Sequence, residues 1–224
     1  MGSNPTSSAK AAPARDATRP APGRLAAGID VGGPRKGFDL AVCELVGQGW
    51  QLRHLARHTT PAGVLAVLAA HGGPEEVLAV GIDAPEEPAA PGARLRPSEL
   101  LVRRLVCGIR WTPDTRAIAA NPTFYGWLIQ GFALWQALRV AGFRGDQVVE
   151  VFPTAAWTRW CGPREARSRA AWSTAGLTGL PLSGLPPRTN QDQRDALAAA
   201  LVAGRYGLAG RPHGPTWPIV LPDP

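Results

Sequence analysis

Cysteine is scarce in this chain: Cys43, Cys107 and Cys161 are its only three thiols. They are odd in number, widely spaced and match no zinc or redox motif, which excludes a disulfide framework and a cysteine-built metal finger. Buried or half-buried thiols in a reducing cytoplasm are expected instead. No run of residues approaches the length of a membrane span, and the first residues lack the apolar core of a signal peptide, so no membrane partner is expected. Gly-x-Ser-x-Gly, phosphate-loop and dinucleotide fingerprints are all missing. The four histidines, His54, His58, His71 and His213, fall at no metal-binding spacing, and His54 and His58 read as surface groups on one strand.

Acid is outnumbered by base, 17 Asp and Glu against 24 Lys and Arg, for a net charge of +7 that favours anionic partners. Nearly every basic residue is Arg in an Ala-, Pro- and Gly-rich chain, a composition that GC-rich codons also produce. The N-terminal segment carries Lys10, Arg15, Arg19 and Arg24 against Asp16, so +3 of the +7 lies there. The remaining charge is a modest pointer to nucleic acid.

The 224 residues suffice for one well-buried domain. Residues 1–24 are Ala-, Pro- and Ser-rich with no apolar period and read as a disordered tail. The domain is expected over 25–210, with 211–224 as an extended C-terminal tail. From Leu25 the apolar runs predict three strands joined as a meander, at Leu25–Val31, Phe38–Val46 and Trp50–Ala56. Thr60-Pro61 starts a helix that Gly72 closes, and a fourth strand follows at Val77–Asp83. Ser98 caps a helix running to Cys107. Asn121-Pro122 opens a longer one ending at Gly142, whose Phe124, Leu128, Phe132, Trp135 and Leu138 form an apolar stripe read as core. A strand at Gln147–Pro153, one or two helices between Thr154 and Ala175, a Gly/Pro loop over 177–189 and a final helix from Asn190 to Gly207 complete the order. Trp157, Trp160 and Trp172 read as structural. The class is α/β: a mixed sheet of about five strands with helices on both faces.

Acids punctuate these elements. Asp30 and Asp83 each end an apolar run with Gly-Ile-Asp, Glu150 interrupts the fifth strand, and Asp192 and Asp195 lie three apart on the last helix. A carboxylate at the end of a buried strand is costly unless a cation or donors compensate it. A meander followed by a right-handed crossover puts the Asp30 and Asp83 strands side by side. The small Ala198 and Ala199 let the last helix bring Asp195 close to the sheet. The expectation is a site for Mg2+ or Mn2+ held by Asp30, Asp83, Asp195 and Asp192, hard oxygen ligands of the kind these ions take. Two such ions can clamp the attacking water and leaving oxygen of a phosphodiester, with Asp30 bridging, Asp83 and Asp195 flanking, and Glu150 binding directly or through water. Each acid also has a plainer reading: Asp83 as a cap for Ala84-Pro85, Asp192 as an exposed helix-start acid, Glu150 as an arginine partner. Arg35 and Lys36, directly after the Asp30 turn, are the candidates for holding substrate phosphate.

The segments Gly28–Phe38, Gly81–Pro85, Leu101–Arg110, Glu150–Pro153 and Asp192–Ala200 together resemble the RNase H-like nucleases catalogued as domain of unknown function 429. The resemblance spans Leu25 to Gly207. It implies an RNase H-like fold and a metal-dependent nuclease acting on DNA or RNA, with Asp30, Asp83, Glu150 and Asp195 at the family's acidic, catalytic positions. The family often carries a His and a second Glu where Phe152 and Thr154 stand here. It commonly has another acid near the start of the last helix, for which Asp192 is the candidate.

Two other readings compete. A non-catalytic nucleic-acid-binding or scaffold domain on the same fold gains from the missing His and Glu. A phosphotransferase of the actin-like ATPase and sugar-kinase type is suggested by Gly28–Gly33, but Pro34 replaces the hydroxyl residue usual after its glycines, and that class needs two copies of the fold.

Overall fold

The architecture is that of a computed structural model describing residues 24–209 and 219–222. The tail expected over 1–24 therefore lies, except for Arg24, outside the described residues, as does most of 211–224.

Strands β1 (Leu25–Val31), β2 (Phe38–Val46) and β3 (Gly49–His58) form the antiparallel meander. Helix α1 (Pro61–Ala70) follows, with the Thr60 side chain accepting from the Gly63 amide and proline at its start. The short α2 (Gly73–Glu76) leads into β4 (Val77–Asp83). Next come α3 (Pro97–Leu105), α4 (Thr115–Ala120) and α5 (Gly126–Val140), then β5 (Val148–Val151). The chain continues through α6 (Pro153–Cys161), α7 (Arg169–Thr178), β6 (Leu182–Ser183), α8 (Gln191–Ala209) and β7 (Ile219–Val220).

The sheet is mixed and has seven strands in the order β6-β3-β2-β1-β4-β5-β7. The expected five are its centre. The additional β6 and β7 are two-residue edge strands, too short to show alternation; one lies in the Gly/Pro loop and the other in the extended C-terminal segment. β4 runs parallel to β1, so the meander and crossover place the two Gly-Ile-Asp strands next to each other as expected.

Helices cover both faces. On one, Ala27, Ile29 and Val31 of β1 and Val80 and Ile82 of β4 pack with Val64 and Leu68 of α1 and Leu134, Trp135 and Leu138 of α5. Full burial of one such aliphatic side chain is worth ~1.5–3 kcal/mol relative to exposure. On the other face lie α6, α7 and α8, with Trp157 and Trp172 buried among the alanines of α8. α8 sits close against the sheet because β1 and β4 present glycine to it. A Cβ on Gly28 would stand 2.1 Å from the Ala196 carbonyl oxygen, and one on Gly81 would stand 2.4 Å from that of Ala199.

Two helix readings need correction. The helix expected to begin at Ser98 starts at Pro97, because Glu99 reaches back to the Arg96 amide at 2.9 Å. The aromatic stripe begins later than expected: α5 starts at Gly126, after a turn, so Phe124 is 65% exposed while Leu128, Trp135 and Leu138 are buried. The histidines also differ from the surface reading. His54 and His58 are half-buried with ring nitrogens 3.1 Å apart, and burial together with His58 and His71 lowers the pKa of His54. No helix among the described residues is long and apolar enough to cross a membrane.

Candidate metal centre

Strand alternation and register decide which acids meet. In β1 the side chains of Ala27, Ile29 and Val31 face α1 and α5, so Asp30 faces the α8 side. Asp83 is the register partner of Asp30 on β4 and takes the same face. On the other flank Asp39 of β2 is the antiparallel partner of Asp30. Over these three strand acids lies the first part of α8 with Asp192 and Asp195. Five carboxylates thus gather at one end of the sheet.

Their partners differ. Asp195 is almost wholly buried and well held: it accepts from Trp157 Nε1 at 2.9 Å, Arg169 Nη2 at 2.9 Å and Gln191 Nε2 at 3.0 and 3.1 Å. Arg57, across the ladder from Asp39, donates to it at 2.9 and 2.7 Å and also reaches Asp192 at 3.1 Å. Lys36 Nζ lies 2.6 Å from the other oxygen of Asp192. Asp30 and Asp83 are half-buried, and among the described residues their carboxylates have neither a hydrogen bond nor an ion pair.

The electrostatics follow from that contrast. Burial, then the charges of Asp195 and Asp192, push Asp30 up to about 7, with Lys36 opposing. Burial, then Asp30 and Asp195, hold Asp83 well above the carboxylate range. Asp195 is raised by burial, against which Arg169, Trp157 and Gln191 work. Desolvation and like charge both disfavour ionisation, so at least one proton is retained near neutral pH when no cation is present.

The donor set suits a divalent metal. Asp30, Asp39 and Asp192 each offer an oxygen, all within 4.8 Å of one another, and every donor is the hard carboxylate oxygen that Mg2+ and Mn2+ take. Asp83, the register partner of Asp30, borders this group.

Of the residues singled out in the sequence, Asp30, Asp83, Asp192 and Asp195 come together. Glu150 does not join their face. It is in register with Ile82 rather than Asp83 and so leaves the sheet on the opposite side, although its charge still adds to the raised pKa of Asp83. There Arg96 clamps it through two bonds of 2.8 and 2.5 Å and also holds Glu99 at 3.0 Å. Its pKa is nonetheless raised by burial, which Arg96 offsets only in part. Lys36 is at the centre, engaged with Asp192, whereas Arg35 is exposed on the turn.

Asp39, Arg57, Arg96 and Arg169 were missed in the sequence. Asp39 carried a readable signal, an acid inside an otherwise apolar strand, buried to 2% exposure. The arginines carried none, since the acids that fix their place at the site, Asp192 for Arg57, Glu150 for Arg96 and Asp195 for Arg169, lie 135, 54 and 26 residues away.

The sequence matches no protein-family model and no curated protein. Among solved structures it is similar to that of Thermus thermophilus RuvC, at 21% identity over 82% of this chain and 96% of that one, with a TM-score of 0.44.

Proposed function

We propose that this chain is a metal-dependent nuclease of RNase H-like fold, hydrolysing phosphodiesters of DNA or RNA at the Asp30–Asp83 end of the sheet. The observation that carries the reading is the pair itself: two register-matched, half-buried carboxylates without a partner in the described chain, beside three more acids. Such a group is costly to keep unless a cation completes it. The resemblance to the domain of unknown function 429 supports the same reading. So does a meander followed by parallel strands in the order β3-β2-β1-β4-β5.

Asp30, Asp83 and Asp192 would hold the ion, with Asp39 and Asp195 beside them. When bound, a divalent ion there supplies Lewis-acid stabilisation of phosphoryl charge and a more acidic water. The chain's own residues do the rest. Trp157 and Gln191 fix the orientation of Asp195, so its carboxylate does not rotate as charge develops nearby. Arg169, its side chain 50% exposed, reaches from Asp195 toward solvent, where it can neutralise a non-bridging phosphate oxygen. In the reaction, water oxygen bonds to phosphorus, the phosphorus bond to the leaving oxygen breaks, the water's proton passes to a carboxylate of the cluster, and the leaving oxygen takes up a proton from solvent. Arg35 and Lys36 remain the candidates for the flanking phosphate, Lys36 after leaving Asp192. The three free cysteines agree with a cytoplasmic, reducing setting.

A second reading has an observation of its own. Lys36 and Arg57 already neutralise Asp192 and Asp39, which favours a nucleic-acid-binding domain that does no chemistry. Thermal melts with and without millimolar Mn2+, run beside cleavage assays on mixed DNA and RNA, separate the two. A Mn2+-dependent rise in Tm that Asp30→Asn abolishes, together with cleavage, supports the nuclease. No shift and no cleavage leave the binding domain.

A further inference from the structure

Beside the acidic site the surface opens into a cavity of about 440 Å3, within the ~300–1,000 Å3 range of small-molecule sites. Asp83 and Arg169 form its boundary with the carboxylate cluster, so whatever fills it lies next to the group at the acids. Ile109, Trp127 and Phe152 supply apolar and aromatic wall, and Arg110 adds an exposed cation. At one side the Arg96–Glu150–Glu99 network closes it with polar groups that already satisfy one another. Trp127 is 36% exposed, and Trp111, between the lining residues Arg110 and Thr112, is 63% exposed. Aromatic side chains left in water beside a concave site with an exposed arginine are the composition that receives stacked bases joined to phosphate.

We propose that this cavity takes a single unpaired nucleotide adjoining the phosphate at the acids. The substrate of the site is therefore single-stranded or locally unpaired nucleic acid rather than continuous duplex. The inference rests on the nuclease reading and adds the substrate class to it. A paired and stacked base cannot enter a recess of this size; it must be unstacked first, as in enzymes that draw a base out of the helix. Trp127 and Phe152 then offer faces for stacking, and Arg110 and Arg169 meet the phosphates on either side.

The test uses the full chain with Ca2+ to measure binding and Mn2+ to measure cleavage. The probes are a short DNA strand, the matching RNA strand, the blunt duplex and a free nucleoside monophosphate. Fluorescence anisotropy should show the single strands bound about tenfold or more tighter than the duplex. Ile109→Trp, which fills the recess, should remove most of that preference. Trp127→Ala, at a half-exposed position that does not threaten folding, should weaken single-strand binding about tenfold. In both variants the Mn2+-dependent rise in Tm should be unchanged. Competition by the monophosphate at concentrations matching the oligonucleotide would identify a free nucleotide as the occupant and overturn the strand assignment; much weaker competition would support a strand. Equal or tighter duplex binding, or variants that bind as wild type does, with the Mn2+ shift intact, would overturn the cavity assignment alone. Loss of the Mn2+ shift in wild type would overturn the nuclease reading beneath it.

Discussion

Asp30 and Asp83 stand side by side as register partners on parallel strands, and among the described residues neither carboxylate receives a hydrogen bond or a cation. The folded chain thereby holds two like charges in a half-buried place, where burial and the charge of Asp195 raise both pKa values and the charge of Asp30 raises that of Asp83 further. That arrangement lowers the stability of the metal-free protein and favours any cation that fits.

The pH dependence has a definite sign. Asp30 moves from an ordinary 3.8 to about 7 on folding, and Asp83 moves in the same direction. A group whose folded pKa is raised contributes its full stabilisation below the unfolded value and loses it as pH rises through the folded value. Metal-free wild type should therefore lose stability, relative to Asp30→Asn, between about pH 4 and pH 7. Mn2+ should have little effect at pH 5 and raise Tm at pH 8, where roughly 2–4 °C corresponds to each ~1 kcal/mol in a domain of this size. Melts of both proteins at the two pH values, with and without Mn2+, check it. A metal shift as large at pH 5 as at pH 8 would contradict the raised carboxylates.

Glu150 should behave as a structural acid. Arg96 bridges it to Glu99, and the two side chains of the Arg96–Glu150 pair are only 12% and 7% exposed. Glu150→Ala leaves Arg96 buried with one partner removed, which should cost about 3–5 kcal/mol. Chemical denaturation should show that loss, while the Mn2+-dependent rise in Tm survives because the metal-holding acids lie on the other face. Loss of the metal shift in a folded Glu150→Ala protein would return Glu150 to the centre.

Gly28 and Gly81 set the height of α8 above the sheet. An added methyl at Gly28 would collide with backbone atoms of Ala196 and Ala200, which no rotamer change can relieve. Gly28→Ala should destabilise the fold by at least the ~1–3 kcal/mol of ordinary overpacking. In whatever protein remains folded it should weaken Mn2+ binding, because Asp195 rides on the helix that must lift. Gly33→Ala, where a Cβ meets nothing within 4 Å, is the matched control for both readouts.

Much of this arrangement was legible in the sequence because it rests on periodicity. The repeated Gly-Ile-Asp at the ends of apolar runs, the meander and the small-residue face of the last helix all follow from local patterns. Those patterns put Asp30 beside Asp83 and Asp195 above them. Features that depend on register between distant segments were not legible. Whether Glu150 aligns with Ile82 or Asp83 changes its face, and nothing near Glu150 in the chain decides it. The Arg96 clamp and the Arg57 bridge span 54 and 135 residues. Phe124 matched the helical stripe by spacing, yet the turn ahead of α5 turns it to solvent.

Lys36 carries the sharpest distinction between chemistry and mere binding. It sits 2.6 Å from Asp192, a member of the oxygen group that suits a metal, and its charge lowers the pKa of Asp30. A cation entering there competes with Lys36 for Asp192, so Lys36→Met should tighten Mn2+ binding. One effect runs the other way: without Lys36 the Asp30 carboxyl holds its proton to higher pH, and near pH 7 that proton competes with the metal. The gain should therefore be small at pH 7 and larger at pH 8.5, where less of the Asp30 proton remains to compete. Nucleic-acid binding should move oppositely. If Lys36 turns to phosphate once metal displaces it, Lys36→Met should weaken binding in the metal-loaded protein. The slope of log affinity against log salt should then flatten by about 0.7–0.9 for each phosphate that Lys36 had neutralised. Titration calorimetry with Mn2+ at the two pH values and anisotropy across a salt series measure both. Weaker Mn2+ binding at pH 8.5, with the salt slope unchanged, would make Lys36 a permanent partner of Asp192 and favour the domain that binds without cutting.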